Sequence, residues 1–290
     1  MSNTALIIEE RSRDIGAFMV GRLLPFRKKR SVGPFIFIDH MGPETLGPGQ
    51  YMDVDNHPHI GLATLTYLLA GEVMHCDSLG TAQRITPGSV NLMVAGKGVT
   101  HTERTPVDLR DGARFLMHGY QIWIALPKAY EEMEPEFQHV AAAQLPRWHD
   151  GAATFTLVAG SAYGKVSPVK TFSELFMVEV KCEADFELNV AGALRGEIGI
   201  CIVAGSVVVD GETIGTGNMV VSQTEDQCAV RVQAGSHLLL FGGQPLPEER
   251  HMFWNFVSSS KERLEQAKAD WRLHRFPTVE GDASYVPLPE

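Results

Sequence analysis

The chain has 290 residues, of which 44% are hydrophobic and 21% are charged, as in a globular protein long enough for two domains. Its formal net charge of −10 argues against the basic surface that direct nucleic-acid binding requires. No apolar run reaches the ~18 residues of a membrane span, and residues 1–4 lack the basic start of a signal peptide. We therefore expect a cytoplasmic protein with no direct nucleic-acid or membrane partner.

The cysteines point the same way. Cys76, Cys182, Cys201 and Cys228 are scattered and form no C-x-x-C pair. That spacing fits neither a disulfide framework nor a zinc finger, and it favours a reducing compartment.

Short β segments separated by Gly, Pro, Asn and Asp dominate the chain. In chain order the predicted strands are 34–39, 62–69, 72–77, 90–94, 115–125, 155–159, 175–182, 198–203, 206–209, 219–222, 229–232 and 237–241. Because no amphipathic helix intervenes between them, the pattern predicts an all-β protein built of antiparallel sandwiches or barrels.

A weak internal repeat indicates two copies of one unit. The segment YLLAGEV at 67–73 returns as CIVAGSV at 201–207, and each copy continues through a glycine-containing turn into another apolar strand. Aligning the copies sets Ala191 and Ala193 opposite His57 and His59, so we expect the second copy to lack a metal site. We place the domain boundary between residues 145 and 146, giving domains 1–145 and 146–290.

One helix is predicted, near the C-terminus. Ser259 and Glu262 have the spacing of a capping box, and Leu264, Ala267 and Trp271 recur at helical intervals. We expect this amphipathic helix to pack on the flank of a barrel.

Two short motifs indicate a metal site. Residues alternate in direction along a strand, so His57 and His59 share one side of theirs, and His101 and Glu103 share one side of theirs. If both strands line a barrel, four donor atoms converge. Imidazoles with one carboxylate suit iron, copper, nickel or manganese, and the absence of thiolates argues against structural zinc. The alternative is that Glu103 pairs with Arg104 or Arg84 at the surface.

These motifs resemble the pirin family. The resemblance lies in HPHIGLATLTY at 57–67, HCDSLG at 75–80, AGKGVTHTE at 95–103, GGQPL at 242–246 and WNFV at 254–257, and it covers nearly the whole chain. It implies a bicupin, in which two double-stranded β-helix (jelly-roll) barrels lie in tandem with a C-terminal helix. It further implies one divalent metal held by His57, His59, His101 and Glu103. Iron is the expected metal, with copper, nickel, manganese or zinc as alternatives.

The chain also departs from the family pattern. Many pirins have Arg after the second histidine and Glu a few residues later, where this chain has Ile60 and Ala63. We expect both positions to lie near the cavity and to affect the choice of substrate.

Three further residues are candidates for the pocket. His75 is expected either to orient a ligand or touch substrate, or to be an ordinary barrel-wall histidine. Met93 and Phe115 are expected to form an apolar pocket floor, although neither is distinguishable from ordinary core by sequence alone.

The resemblance implies two possible functions. The first is a quercetin 2,3-dioxygenase, in which a flavonol chelates the metal, Glu103 acts as general base and dioxygen is the second substrate. The second is a non-enzymatic, iron-dependent and redox-sensitive regulator that acts through protein partners. A cupin acting on another small acid or carbonyl compound is a third and less specific reading.

Overall fold

The computed structural model describes residues 4–15, 19–110, 112, 114–222 and 229–290. Within these ranges the chain forms twenty-five strands, three short 3-10 helices and one α-helix, which confirms the predicted all-β class. The first twelve strands are β1 (Thr4–Glu9), β2 (Arg11–Asp14), β3 (Met19–Leu24), β4 (Phe35–Leu46), β5 (Asp53–His59), β6 (Leu62–Ala70), β7 (Val73–Asp77), β8 (Ala82–Ile85), β9 (Val90–Val94), β10 (Val99–Arg104), β11 (Phe115–Ala125) and β12 (Glu136–Val140).

The remaining elements complete the second half of the chain. They are β13 (Arg147–Asp150), β14 (Ala153–Ala162), β15 (Lys165–Val166), β16 (Leu175–Cys182), β17 (Phe186–Asn189), β18 (Glu197–Ala204), β19 (Ser206–Val209), β20 (Glu212–Gly215), β21 (Asn218–Ser222), β22 (Ala229–Val232), β23 (His237–Gly243), β24 (His251–Phe253), β25 (Phe256–Ser258) and α1 (Lys261–Arg272). The 3-10 helices span Val107–Leu109, Lys128–Tyr130 and Ala142–Gln144. None of the helices in the described part of the chain is long and apolar enough to cross a membrane.

The N-terminal barrel is built from two antiparallel sheets. One has the order β5-β10-β7-β8, and the other has the order β12-β9-β6-β11-β4-β3-β2. Leu68 and Met117 of the larger sheet pack on Val73 and Ile85 of the smaller one. Burying these apolar side chains between the sheets, at about 25 cal/mol per Å², holds the two layers together.

The C-terminal barrel repeats this plan. Its sheets have the orders β17-β22-β19-β20 and β1-β21-β18-β23-β16-β14-β13, with β15 paired to β14. The space between them is filled by one apolar cluster, which includes Leu188, Val207, Ile214, Val230, Val178, Ile200 and Leu240. The repeated strand order supports the predicted duplication. Ala191 and Ala193 lie in the turn after β17, whereas His57 and His59, with which the repeat aligns them, lie on strand β5.

The chain divides into two compact units whose segments alternate in the sequence. One unit contains Met1–Arg11, Gly21–Ile38 and Ala143–Leu246, and the other contains Ser12–Val20, Asp39–Ala142 and Pro247–Glu290. The break between residues 142 and 143 lies beside the expected 145/146 boundary. The two ends of the chain, however, are exchanged between the units. The N-terminal strand β1 pairs with β21 of the C-terminal half, and helix α1 falls in the unit that contains β5 and β10.

Helix α1 packs as predicted but begins one residue later than the capping-box pattern indicates. Its N-cap is Ser260, whose hydroxyl accepts the Arg263 N–H at 3.2 Å, whereas Ser259 hydrogen-bonds Glu131. Leu264, Ala267 and Trp271 are buried in a cluster with Phe256 and Ile60. Three of the cysteines, Cys76, Cys182 and Cys201, are free thiols, and Cys228 lies outside the described residues.

Candidate metal centre

Strands β5 and β10 carry the four predicted ligands. They pair antiparallel with His57 directly opposite His101, and a bulge between His101 and Glu103 sets Glu103 opposite Val54. Directly opposed residues project from the same face of a sheet, so the pairing brings His57 and His101 together.

A tight turn follows the second histidine. Gly61 has a φ of +67°, and a Cβ there would lie 1.9 Å from the Val257 carbonyl oxygen. Only glycine fits this position, which ends β5 immediately after His59.

The three histidine rings form one buried cluster. Their centroids are separated by 4.3 Å (His57 to His101), 5.0 Å (His59 to His101) and 5.1 Å (His57 to His59). One nitrogen from each ring lies within 4.8 Å of the others. Three buried imidazoles that converge at this separation could hold one metal ion.

The hydrogen bonds of these rings fit a metal. The His57 Nδ1–H donates to the Asp55 carbonyl oxygen at 2.8 Å, which leaves Nε2 as the free donor atom. Three ring nitrogens have no hydrogen-bond partner among the described residues: both nitrogens of His59 and Nε2 of His101. The Asn255 carbonyl acts on the pKa of His59 but does not meet hydrogen-bond geometry with that ring. An unsatisfied buried polar atom costs roughly 1–3 kcal/mol, so ligation is the natural use of these lone pairs.

Burial keeps the imidazoles neutral. Desolvation lowers the pKa of His57 to about 4, although the hydrogen bond to Asp55 acts in the opposite direction. Desolvation, followed by repulsion from neighbouring histidines, lowers the pKa values of His59 and His101 well below the ordinary range. Neutral imidazole is the form that binds a metal, so the rings are ready to ligate at neutral pH.

Glu103 is a buried carboxylate at the edge of this cluster. The Thr66 hydroxyl lies 3.4 Å from its Oε1 and 2.8 Å from the Gln121 amide oxygen. Burial raises the pKa of Glu103, whereas His75 and Thr66 act to lower it. Donor atoms of Glu103, His101 and His75 lie within 4.8 Å of one another, so two groups of three share His101.

The surface alternative for Glu103 is wrong. Arg84 pairs with Glu72 and Asp108, and Arg104 pairs with Asp55 and Asp282. Glu103 itself is only 5% exposed. A role as fourth ligand therefore stays open to it.

His75 contacts one of the predicted ligands, His101. Its Nδ1 lies 3.2 Å from Nδ1 of His101, and its Nε2 lies 3.2 Å from Oδ2 of Asp77. Its ring also stacks on Phe137, with centroids 4.8 Å apart. Of the two readings of His75, the geometry favours the one in which it orients a ligand.

The two predicted floor residues do not lie together. Met93 packs with Ala95, Val99 and Phe137. Phe115 packs instead against the cluster that contains Val73 and Ile85. A shared floor made of Met93 and Phe115 is therefore wrong.

Sequence reasoning missed the aromatic walls of the site. Trp123 meets His59 edge to face, with centroids 5.3 Å apart, and Phe137 covers His75. Trp123 lies opposite Thr64, Thr64 lies opposite Met93, and Met93 lies opposite Phe137, so the four form one row across the sheet. The alternation of Gln121 and Trp123 on one strand was the available signal.

The departures at Ile60 and Ala63 lie away from the interior row. Ile60 packs with Phe256 and the apolar face of α1. Ala63 alternates with Thr64, so its side chain projects from the opposite face of β6. The expectation that both positions border the cavity is wrong, because local spacing did not reveal the helix that covers Ile60.

The C-terminal tail, defined as residues 277–290, hydrogen-bonds the residues that flank the predicted ligands. The Asn56 N–H donates to Ser284 Oγ, and the Asn56 carbonyl accepts from the Val286 N–H, at 3.0 Å each. The Thr100 hydroxyl donates to the Pro277 carbonyl at 2.7 Å, and Arg104 pairs with Asp282 at 2.7 Å. The tail therefore supports both ligand strands at the positions next to His57, His101 and Glu103.

Comparison with known proteins identifies the family. The Pirin family profile matches residues 17–124, and the Pirin C-terminal cupin domain profile matches residues 177–277. A pirin-like protein of Caulobacter vibrioides is 43% identical over 98% of this chain and 99% of its own length.

Solved structures agree. The crystal structure of a quercetin 2,3-dioxygenase from Acinetobacter baumannii superposes with a TM-score of 0.90 at 35% identity, covering 98% of this chain and 95% of that one. A bacterial pirin of Escherichia coli, solved in complex with nickel(II), shares the fold with a TM-score of 0.65 at 20% identity, over 83% of this chain and 99% of that one. These matches confirm the predicted bicupin architecture. The chain belongs to the pirin family.

Proposed function

We propose that the chain is a metal-dependent dioxygenase that cleaves a flavonol such as quercetin, using one divalent transition metal, iron first, held by His57, His59, His101 and Glu103. The observation that carries the proposal is the convergence of three buried, neutral imidazoles beside a buried carboxylate. The likeness to the Acinetobacter baumannii quercetin 2,3-dioxygenase supports the choice of substrate. The free thiols of the described cysteines support a cytoplasmic location.

The donor set fits a metal that also does chemistry. His57, His59, His101 and Glu103 would hold the divalent ion, which would supply Lewis-acid activation of an oxygen donor. A flavonol offers its 3-hydroxyl and 4-carbonyl oxygens as such donors. Overall, one flavonol and one dioxygen give one carbon monoxide and one depside.

The side chains around the cluster have distinct tasks in this proposal. Glu103 is the carboxylate beside the imidazoles, so we assign it the acceptance of the 3-hydroxyl proton. The Thr66 hydroxyl packs 3.4 Å from Oε1 of Glu103 and so limits the orientations of the carboxylate. Trp123 and Phe137 provide apolar, planar walls of the kind that an aromatic substrate contacts and that exclude water.

The test is a measurement of products. Protein loaded anaerobically with ferrous iron is mixed with quercetin and then air, and carbon monoxide and depside are quantified. We expect one equivalent of each per quercetin consumed. If metal-loaded protein yields neither product, the dioxygenase proposal is wrong. The alternative of an iron-dependent regulator is then tested by measuring the affinity for a protein partner in the ferrous and ferric states.

A ligand variant tests the metal site separately. Removing one imidazole with His101→Ala should weaken metal affinity by more than about 100-fold, because even supporting residues are worth 10–100-fold. The exposed His149 in β13 provides the control, since His149→Ala should leave metal content unchanged. Full metal stoichiometry in His101→Ala, measured by elemental analysis, would rule out the site.

A further inference from the structure

Among the three histidines of the cluster, His101 has an unusual partner. His57 is oriented by a backbone carbonyl, whereas the Nδ1 of His101 faces Nδ1 of another histidine, His75, at 3.2 Å. Two facing ring nitrogens attract only if one carries a proton and the other does not. The position of that proton decides which nitrogen of His101 remains free for a metal.

Asp77 settles the tautomer of His75. A carboxylate only accepts hydrogen bonds, so the His75 nitrogen that faces Asp77 Oδ2 must carry the proton. In the form that carries one ring proton, His75 then has a lone pair on Nδ1. His101 therefore donates its Nδ1–H to His75 and is left with an unprotonated Nε2.

The opposite arrangement is unfavourable. If His101 carried its proton on Nε2, that N–H would be a buried donor with no acceptor among the described residues. With the proton on Nδ1, the same Nε2 presents a lone pair to the other two rings.

The local fold holds Asp77 in place. Its Oδ1 accepts the backbone N–H groups of Leu79 at 2.9 Å and Thr81 at 3.0 Å, in the turn between β7 and β8. The turn is fastened to β10 because the Ser78 N–H donates to the Thr100 carbonyl at 2.9 Å. Asp77 and His101 lie directly opposite each other on the paired strands β7 and β10.

We propose that Asp77 and His75 are positioning residues that keep the proton of His101 on Nδ1 and so present its Nε2 to the metal. The inference rests on the proposed metal site. It gives the hydrogen-bonded chain Asp77–His75–His101, here called the relay, one defined direction of donation. Protons lie on His75 Nε2 and His101 Nδ1, and each N–H donates away from the metal position.

The polarity can be reversed by one substitution. In Asp77→Asn the amide oxygen keeps the Leu79 and Thr81 bonds, but the amide nitrogen donates to His75 Nε2. His75 must then carry its proton on Nδ1, and His101 must move its own proton to Nε2. We expect nickel(II) affinity to fall by about 10–100-fold, the usual loss for a partner of a metal-bound histidine.

The experiment reads the tautomers directly. Long-range ¹H–¹⁵N NMR of histidine-labelled, metal-free full-length protein should show His101 protonated on Nδ1 in the wild type and on Nε2 in Asp77→Asn. Nickel(II) affinity is measured by chelator competition on the same samples. Asp185→Asn is the control, because Asp185 also accepts a backbone N–H but lies in the other barrel, so it should behave as wild type.

A second pair of variants separates orientation from ligation. His75→Gln can accept from His101 and donate to Asp77, so we expect it to retain nickel affinity within about threefold, whereas His75→Leu should match Asp77→Asn. If His75→Gln binds as poorly as His75→Leu, His75 is itself a ligand and the relay is wrong.

Two other results also overturn the relay: wild-type His101 protonated on Nε2, or wild-type affinity in Asp77→Asn. Wild-type protein that binds no nickel would instead sink the proposed metal site, so the two failures are distinguishable.

Discussion

The two barrels share one strand order but differ in the polar residues that they bury. Between the sheets of the C-terminal barrel lies a continuous apolar cluster. The N-terminal barrel instead buries four polar side chains, those of His57, His59, His101 and Glu103. Burying unpaired polar groups opposes folding. The proposed metal site would account for their burial in the N-terminal barrel, whereas the interior of the C-terminal barrel serves packing alone.

Register shows where the copies diverge. Arg104 lies opposite Met74, and Arg231 lies opposite Val208 in the second repeat. The residue before each arginine is therefore equivalent, so Val230 occupies the position of Glu103.

The hairpins differ as well. Residues 77–81 separate the last pair of β7 and β8, Cys76 and Ala82. Only residues 210–211 separate Val209 from Glu212. Asp77 is the last residue of β7, and its side chain is held by the longer connection that follows it.

Exchanging the two equivalent residues should give the largest effect. Val230 is fully buried among apolar side chains, so Val230→Glu should lower the free energy of unfolding by on the order of 3 kcal/mol or more. Glu103→Val removes a buried carboxylate, so the metal-free protein should be as stable as wild type or more stable, while nickel(II) affinity falls. Denaturant unfolding and chelator competition check both. Equal destabilisation by the two substitutions would show that Glu103 is structural, and the contrast between the barrels would fail.

A buried ion cluster around Glu179 in the C-terminal barrel predicts a pH effect of similar size. Glu179 accepts from His237 at 2.9 Å and Lys181 at 3.0 Å. Burial raises its pKa, but these partners outweigh burial and lower it to about 2. A carboxyl group whose folded pKa is depressed stabilises the fold above its unfolded pKa, here 4.5, and loses that contribution as pH falls toward 2.

Glu179→Gln tests this sign. The difference in unfolding free energy from wild type should be roughly 3 kcal/mol at pH 7 and should shrink as pH falls from 5 to 3. Hydrogen exchange of β16 amides at each pH provides the measurement, with the exposed Glu187→Gln of the same barrel as control. A difference that does not depend on pH would contradict the assignment.

The C-terminal tail should have the smallest effect, and only on the N-terminal barrel. Deleting residues 278–290 removes the bonds to Asn56 and Arg104 beside the ligands. Each is worth on the order of 1 kcal/mol, and we expect about a 3–10-fold loss of nickel(II) affinity because the ligands are held less firmly. Deleting only residues 289–290 is the control. Undiminished affinity in the longer deletion would show that the ligand strands are rigid without the tail.

Much of the fold could be predicted from local pattern. Strands such as Phe115–Ala125 and Leu175–Cys182 match their predicted bounds at both ends, because β-branched and aromatic residues end at turn-forming ones. The convergence of His57, His59 and His101 also followed from alternation along two strands. Glu103 as a ligand stays a prediction.

What could not be predicted depends on distant partners. Long-range contacts produce no periodic pattern in the local sequence. Examples are the pairing of β1 with β21, the packing of α1 on Ile60 and the hydrogen bonds of the tail to Asn56. The N-cap is Ser260 and not the predicted Ser259, because Ser259 hydrogen-bonds Glu131, which lies more than a hundred residues away in the sequence.

The tail has a consequence for how the protein is made. Asn56 and Arg104 obtain their Ser284 contacts 228 and 180 residues later in the chain. A nascent chain leaving the ribosome therefore exposes both histidine strands long before their last supports exist. We expect the proposed metal centre to reach its final rigidity only after residues 277–290 have been synthesised and have docked, so a chain that lacks them would hold the predicted ligands less firmly.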